Sequence, residues 1–96
     1  MIKSGYVSFS KNTEPTLLTG QGVREFDSAI IFDRPFRRTP TIAVALQRMD
    51  VINKANTRIL VKTSAVTTTG FTLTLRTWGN TQIWSAGASW IAYADQ

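Results

Sequence analysis

The stretch Phe71-Thr72-Leu73-Thr74-Leu75-Arg76-Thr77-Trp78 decides the fold. Phe71, Leu73 and Leu75 alternate with Thr72, Thr74 and Arg76. A period of two puts one set of side chains on each face of an extended chain, so this segment reads as a half-buried strand. The same period recurs on either side of it. Thr41 to Leu46 carries Ile42, Val44 and Leu46 on one face, and Arg58 to Thr63 carries Ile59 and Val61 opposite Arg58 and Lys62. Gly5 to Phe9 and Phe26 to Phe32 read as two further strands, and Gln82 to Tyr93 as a long, aromatic-rich last one.

Turn residues separate these runs. Pro35 and Pro40 bracket a corner, because neither can sit in a central strand. Thr67-Thr68-Thr69-Gly70 predicts a short hairpin, and Gly79-Asn80 predicts a second between the last two strands. Ser10 to Val23, with Pro15, Gly20 and Gly22, is the longest irregular segment, and Val51 to Asn56 forms at most a turn. Short strands with regular turn signals and no convincing helix predict an all-β, six-stranded antiparallel β-sandwich in a single domain over residues 1–96. Its expected core is Ile42, Val44, Leu46, Ile59, Val61, Phe71, Leu73 and Ile91.

Composition narrows the chemistry. The chain has 96 residues, net charge +5, no Cys and no His. That removes disulfides, thiol nucleophiles, Cys-based zinc sites and any imidazole general base. Glu14, Glu25, Asp27, Asp33, Asp50 and Asp95 form no recognisable glycosidase pair, and there is no glycine-rich phosphate loop. The expectation is a protein that is not an enzyme and needs no cofactor or metal. The basic residues run from Lys3 to Arg76 and cluster only at Arg34, Arg37 and Arg38, without an interleaved aromatic stripe, so no nucleic-acid partner is expected. No stretch approaches a membrane span, so no membrane insertion is expected. Met1-Ile2-Lys3-Ser4-Gly5 lacks the apolar core of a signal peptide, which predicts synthesis in the cytoplasm and leaves secretion or a place in a virion open.

The aromatic residues carry the positive reading. Trp78 follows Arg76 on the polar face of its strand, and Trp84 stands just past Gly79-Asn80. A Trp face beside hydrogen-bonding groups suits a sugar, which presents C–H patches as well as hydroxyls; filling the core is the alternative use of such a ring. Trp90, inside Ser89-Trp90-Ile91-Ala92, reads as core. Arg58 offers a planar guanidinium that can fork onto neighbouring hydroxyls, or can pair at the surface with Asp50 or Asp27.

These segments, taken in order, resemble the H-type lectin domain of snail agglutinins and of the C-terminal part of slime-mould discoidins. Ser4-Gly5, Arg24-Glu25, Phe32 with Arg34-Pro35-Phe36, Asn56-Thr57-Arg58-Ile59, Thr69-Gly70-Phe71, Thr77-Trp78-Gly79-Asn80-Thr81, Trp84-Ser85 and Ser89-Trp90-Ile91-Ala92 carry the resemblance. It implies a sandwich assembling as a trimer or hexamer, with metal-free sites near protomer boundaries for glycans ending in galactose or N-acetylgalactosamine. By match of motif, Arg58, Trp78 and Asn56 fall at binding positions, and Trp84 replaces an aromatic residue that is usually tyrosine. Gly79 stands where the snail-type motif has histidine, and Gln21 is nearest to the loop position of an aspartate. A neutral amide there is a weaker acceptor than a carboxylate. The family's snail-type cysteine positions are apolar here, at about Phe9 and Leu75. A second expectation is an attachment or trimerisation module, as in a phage tail fibre or baseplate.

Overall fold

The computed structural model describes residues 1–10 and 17–95. Six strands follow in chain order: β1 Ile2–Ser10, β2 Arg24–Ile31, β3 Thr41–Val51, β4 Leu60–Ser64, β5 Gly70–Thr77 and β6 Ile83–Tyr93. They form two three-stranded sheets, ordered β1-β6-β3 and β2-β5-β4, and every neighbouring pair is antiparallel. The all-β sandwich expected from the period of two is therefore present. Residues 11–16 of the long loop, Pro15 among them, lie outside the described residues.

The central strand β5 obeys its alternation. Phe71, Leu73, Leu75 and Thr77 face the other sheet and are buried, with Leu73 and Leu75 fully inaccessible. From β6 the facing side chains are Ala86, Ala88, Trp90 and Ala92. Small alanines opposite large β5 residues let the sheets close, and Trp90 fills the wide end, edge-on to Phe71 at 5.2 Å between ring centroids. Phe32, directly after β2, and Phe36, inside the Pro35–Pro40 corner, complete that end, with ring centroids 5.0 Å apart. The positions matched to family cysteines also belong to the core. Phe9 packs against Phe26 at 5.5 Å, and Phe26 pairs with Leu75 in the β2–β5 ladder. Burying each such side chain contributes about 1.5–3 kcal/mol.

Three expectations need correction. Ile91 is 47% exposed, because Trp90 takes the inward direction and its neighbour must point out. Leu46 is 38% exposed. It lies just before an irregularity in β3, where Leu46 pairs with Ala88 and Arg48 with Gly87 so that Gln47 is an extra residue, and there the edge strand leaves the covered part of the core. Gly79-Asn80 does not close a hairpin either. β5 and β6 belong to different sheets, so this segment is a corner carrying the chain across the sandwich. The β4–β5 connection is a hairpin, as read.

That hairpin depends on Gly70. A Cβ added there would lie 2.1 Å from the Ile30 carbonyl oxygen, which is backbone and cannot swing aside. The neighbouring corner is bonded to the same turn, Phe32 N to Thr69 O and Phe36 N to Thr68 O, both at 2.9 Å. Gly70→Ala is expected to lower unfolding stability by about 1–3 kcal/mol, the usual scale for overpacking. Urea denaturation checks this; an unchanged midpoint would mean that the β2–β5 backbone separates at no cost.

Candidate functional site

The outer face of β2-β5-β4 is built in rows by its register. One row is Asp27, Thr74 and Lys62, and the next is Glu25, Arg76 and Leu60. Asp27 accepts from Thr74 Oγ1 at 2.6 Å. Glu25 accepts from Arg76 Nε at 2.6 Å and lies 3.5 Å from Lys62 Nζ. The Arg76 bond, against a smaller desolvation cost, holds the Glu25 carboxyl below its ordinary range. Carried past Arg24↔Thr77 and Leu60↔Arg76, the register sets Val23 and Arg58 on either side of Trp78. Two bonds hold this next row: Gly22 N donates to Gly79 O at 3.0 Å, and Thr77 Oγ1 donates to Arg58 O at 2.6 Å.

Arg58 is half-buried and lies against the β5–β6 corner. Its Nη1 donates to Thr81 Oγ1 at 3.0 Å, Asn80 Oδ1 at 3.1 Å and Asn56 O at 3.4 Å. Thr81 Oγ1 donates in turn to Asn56 O at 2.5 Å. The guanidinium therefore pairs with neither Asp50 nor Asp27, because the corner supplies neutral oxygens at closer range. Gly79 makes this seat possible. Its φ is +67°, and a Cβ there would lie 2.9 Å from Arg58 Nη1 and 3.0 Å from Cζ. A histidine at this position would displace Arg58 from where it rests.

The other expected site residues sort clearly. Trp78 is 38% exposed, and alternation past the buried Thr77 sets it on the outer face, in the row that the extended register gives to Arg58. Asn56 contributes its carbonyl to Arg58 and Thr81, while the residue itself is exposed at the surface. Gln21 is exposed and adjoins Gly22, which is stitched to Gly79. Trp84 stands at the same end of the sandwich but on the other sheet. It is the extra residue where Asp50 pairs with Ser85 and Val51 with Ile83, and it is 41% exposed. The structure thus brings Arg58, Trp78, Gly79 and the backbone of Asn56 into one cluster, with the Gln21 loop bonded to its edge. Among the described residues no group of three or more carboxylates could hold a metal ion, and no helix is long and apolar enough to cross a membrane.

Sequence reasoning missed Arg24 as an organiser. Its guanidinium donates to five carbonyls: Leu17 at 3.3 Å, Thr19 at 3.2 Å and Gly22 at 3.1 Å in the long loop, and Gly79 at 3.0 Å and Thr81 at 2.8 Å in the corner. Partial burial pulls its pKa below the usual value. An arginine two residues after Gly20-Gln21-Gly22, where the turning loop exposes carbonyls, was the available signal.

The fold is thus a small antiparallel sandwich with an arginine seated on neutral oxygens at one end, next to a tryptophan left partly exposed. The model of the H-type lectin domain matches residues 27–93, and the chain belongs to that family. It is 38% identical over 74 residues to a Fuscovulum blasticum protein described as ATP synthase subunits region ORF 7, covering 77% of this chain and 64% of that protein. It is 34% identical over 79 residues to a discoidin-1 polypeptide of Dictyostelium discoideum, covering 81% of this chain and 31% of that one. The chain therefore spans less than two thirds of either relative. Among solved structures, discoidin II of Dictyostelium discoideum superposes with a TM-score of 0.89 at 25% identity, over 100% of this chain and 37% of that one. A Pseudomonas phage tailspike shares the fold alone, with a TM-score of 0.61 at 14% identity over 99% of this chain and 15% of the tailspike.

Arg24→Met removes the tie between loop and corner and leaves carbonyls without their donor. The expected result is faster amide exchange at Gly22, a stability loss of about 1–3 kcal/mol, and β1–β6 amides that keep their rank as the slowest. Unchanged exchange at Gly22 rejects Arg24 as the tie.

Proposed function

We propose that this domain is a non-enzymatic carbohydrate-binding module for galactose-type sugars, N-acetylgalactosamine included. The observation that carries the reading is Trp78, a large ring left 38% exposed beside an arginine in a chain of the H-type lectin family. A sugar would lay its C–H face on the Trp78 ring and direct hydroxyls to Arg58, with Asn56 and Gln21 offering amide groups at the rim. Gly79 serves by keeping Arg58 in place, and Trp84 would reach a second part of a longer glycan. Such a site buries few atoms, so a single copy binds weakly and effective capture requires several copies held together.

We propose further that the chain assembles as a trimer or hexamer through the outer face of β1-β6-β3. That face carries Ile2, Tyr6, Ile91 and Tyr93, exposed by 75%, 49%, 47% and 46%, beside the smaller Ala43, Ala45 and Ser89. Covering such a face with a second copy would remove its cost in water. An attachment module would use the same face, so assembly does not separate the two functions. A glycan array does, since an attachment module without sugar binding leaves every glycan blank.

Two expected outcomes test these readings. Trp78→Ala should weaken galactoside binding by about tenfold or more, from the lost apolar contact, while the oligomer mass stays unchanged. Unaltered affinity on titration removes Trp78 from the site. Ile91→Lys places a charge on the apolar face and should shift native mass towards the monomer and abolish cell agglutination. An oligomer that survives this change assembles elsewhere.

A further inference from the structure

The charge pattern around Arg58 says more about the ligand than its family does. Along the outer face of β2-β5-β4, the cations of the strand rows have a carboxylate partner. Arg76 and Lys62 both pair with Glu25, and Asp27 accepts from Thr74 Oγ1. The row at Val23, Trp78 and Arg58 has no carboxylate. Among the described residues Arg58 makes no ion pair, and its three hydrogen bonds go to neutral oxygens. All three leave from Nη1, and Gly79 lies against the guanidinium so closely that a Cβ there would meet Nη1, Cζ and Nε at 2.9, 3.0 and 3.3 Å. Among the described residues nothing accepts from Nε or Nη2. Those two atoms carry the parallel N–H pair with which an arginine grips both oxygens of a carboxylate or sulfate. Gln21, on the loop stitched to Gly79, adds an amide and no negative charge. A half-buried guanidinium, anchored on one side by neutral groups, is thus presented to the ligand with its bidentate edge open and its charge uncompensated.

We propose that the site selects an anionic glycan, a galactose-type sugar bearing a sulfate or a carboxylate. The oxyanion sits on the Nε–Nη2 edge of Arg58 and the C–H face of the ring lies on Trp78. This rests on the carbohydrate reading above and specifies its ligand class. The basic corner at Arg34, Arg37 and Arg38 does not supply the selectivity. It follows the end of β2, whereas the site adjoins the start of that strand, so the two lie at opposite ends of β2.

The test titrates the whole chain with methyl galactoside, its 3-O- and 6-O-sulfates, and methyl galacturonide, at about 50 mM and about 300 mM salt. The expected result is binding of at least one anionic sugar about ten- to a hundredfold tighter than the neutral parent, the scale of a charge-assisted bidentate contact. The gap should narrow at the higher salt. The sulfate and uronate arms tell which oxyanion fits. Arg58→Gln should erase the preference, and Arg58→Lys, which keeps the charge without the fork, should lose most of it. Arg37→Gln with Arg38→Gln should leave the preference intact. The neutral galactoside binding as tightly as every anionic derivative overturns the inference and leaves the carbohydrate reading standing. Binding of none of the sugars overturns both. A preference that survives Arg58→Gln, or disappears with the Arg37 and Arg38 changes, also overturns it.

Discussion

The structure depends on β5 being paired on both edges. Its register with β2 and with β4 fixes which residues share a row, and its inward face of Phe71, Leu73, Leu75 and Thr77 fixes how the second sheet closes on it. Because the side-chain period is two, a slip of one residue would exchange these inward residues for Thr72, Thr74 and Arg76. The same slip would turn Trp78 inward and break the row that sets it beside Arg58. Core and candidate site are therefore specified by one constraint, and the site is the continuation of the ladder beyond its last strand pair.

Past that point the ladder no longer holds the chain, and Arg24 takes over. Five carbonyls from two segments distant in sequence converge on one guanidinium. Irregular backbone near a protein surface must place its carbonyls on water or on a donor. A planar group with five N–H donors can satisfy several at once and fix their relative positions. Arg58 applies the same chemistry from the other side of Trp78, but commits only one nitrogen to the corner. The two arginines thus divide the work, one holding the loops and the other held by them.

Much of this was legible in the sequence, and the exceptions have physical reasons. The strands, the proline corner and the β4–β5 hairpin followed from period and turn chemistry. The choice between Trp90 and Ile91 for the core did not, since the two are adjacent and both apolar, and alternation requires only that they face opposite ways. Gly79-Asn80 announced a reversal without revealing that the chain changes sheets there, because residue preferences describe the turn and not the strand that follows. The resemblance set Arg58, Trp78 and Asn56 at binding positions and marked Gly79 and Gln21 as departures from the pattern, and the structure draws Arg58, Gly79 and the Asn56 carbonyl together. The seat of Arg58 on the corner was beyond sequence reading, since it depends on a glycine two strands' ends away having no Cβ.

The two departures from the snail-type pattern act in the same direction. Glycine at residue 79 removes a side chain and lets the guanidinium dock on Asn80 and Thr81. Glutamine at residue 21 puts a neutral amide on the adjoining loop, at the position the resemblance matches to an aspartate. Each change alone would only weaken or loosen a site built for a neutral sugar. Together they seat an arginine on neutral oxygens and, among the described residues, give it no carboxylate partner. The net charge of +5 is accordingly not one diffuse property. Part of it stands at the proline corner, exposed to solvent, and part is held at the far end of the sandwich, where a single guanidinium meets whatever rests on Trp78.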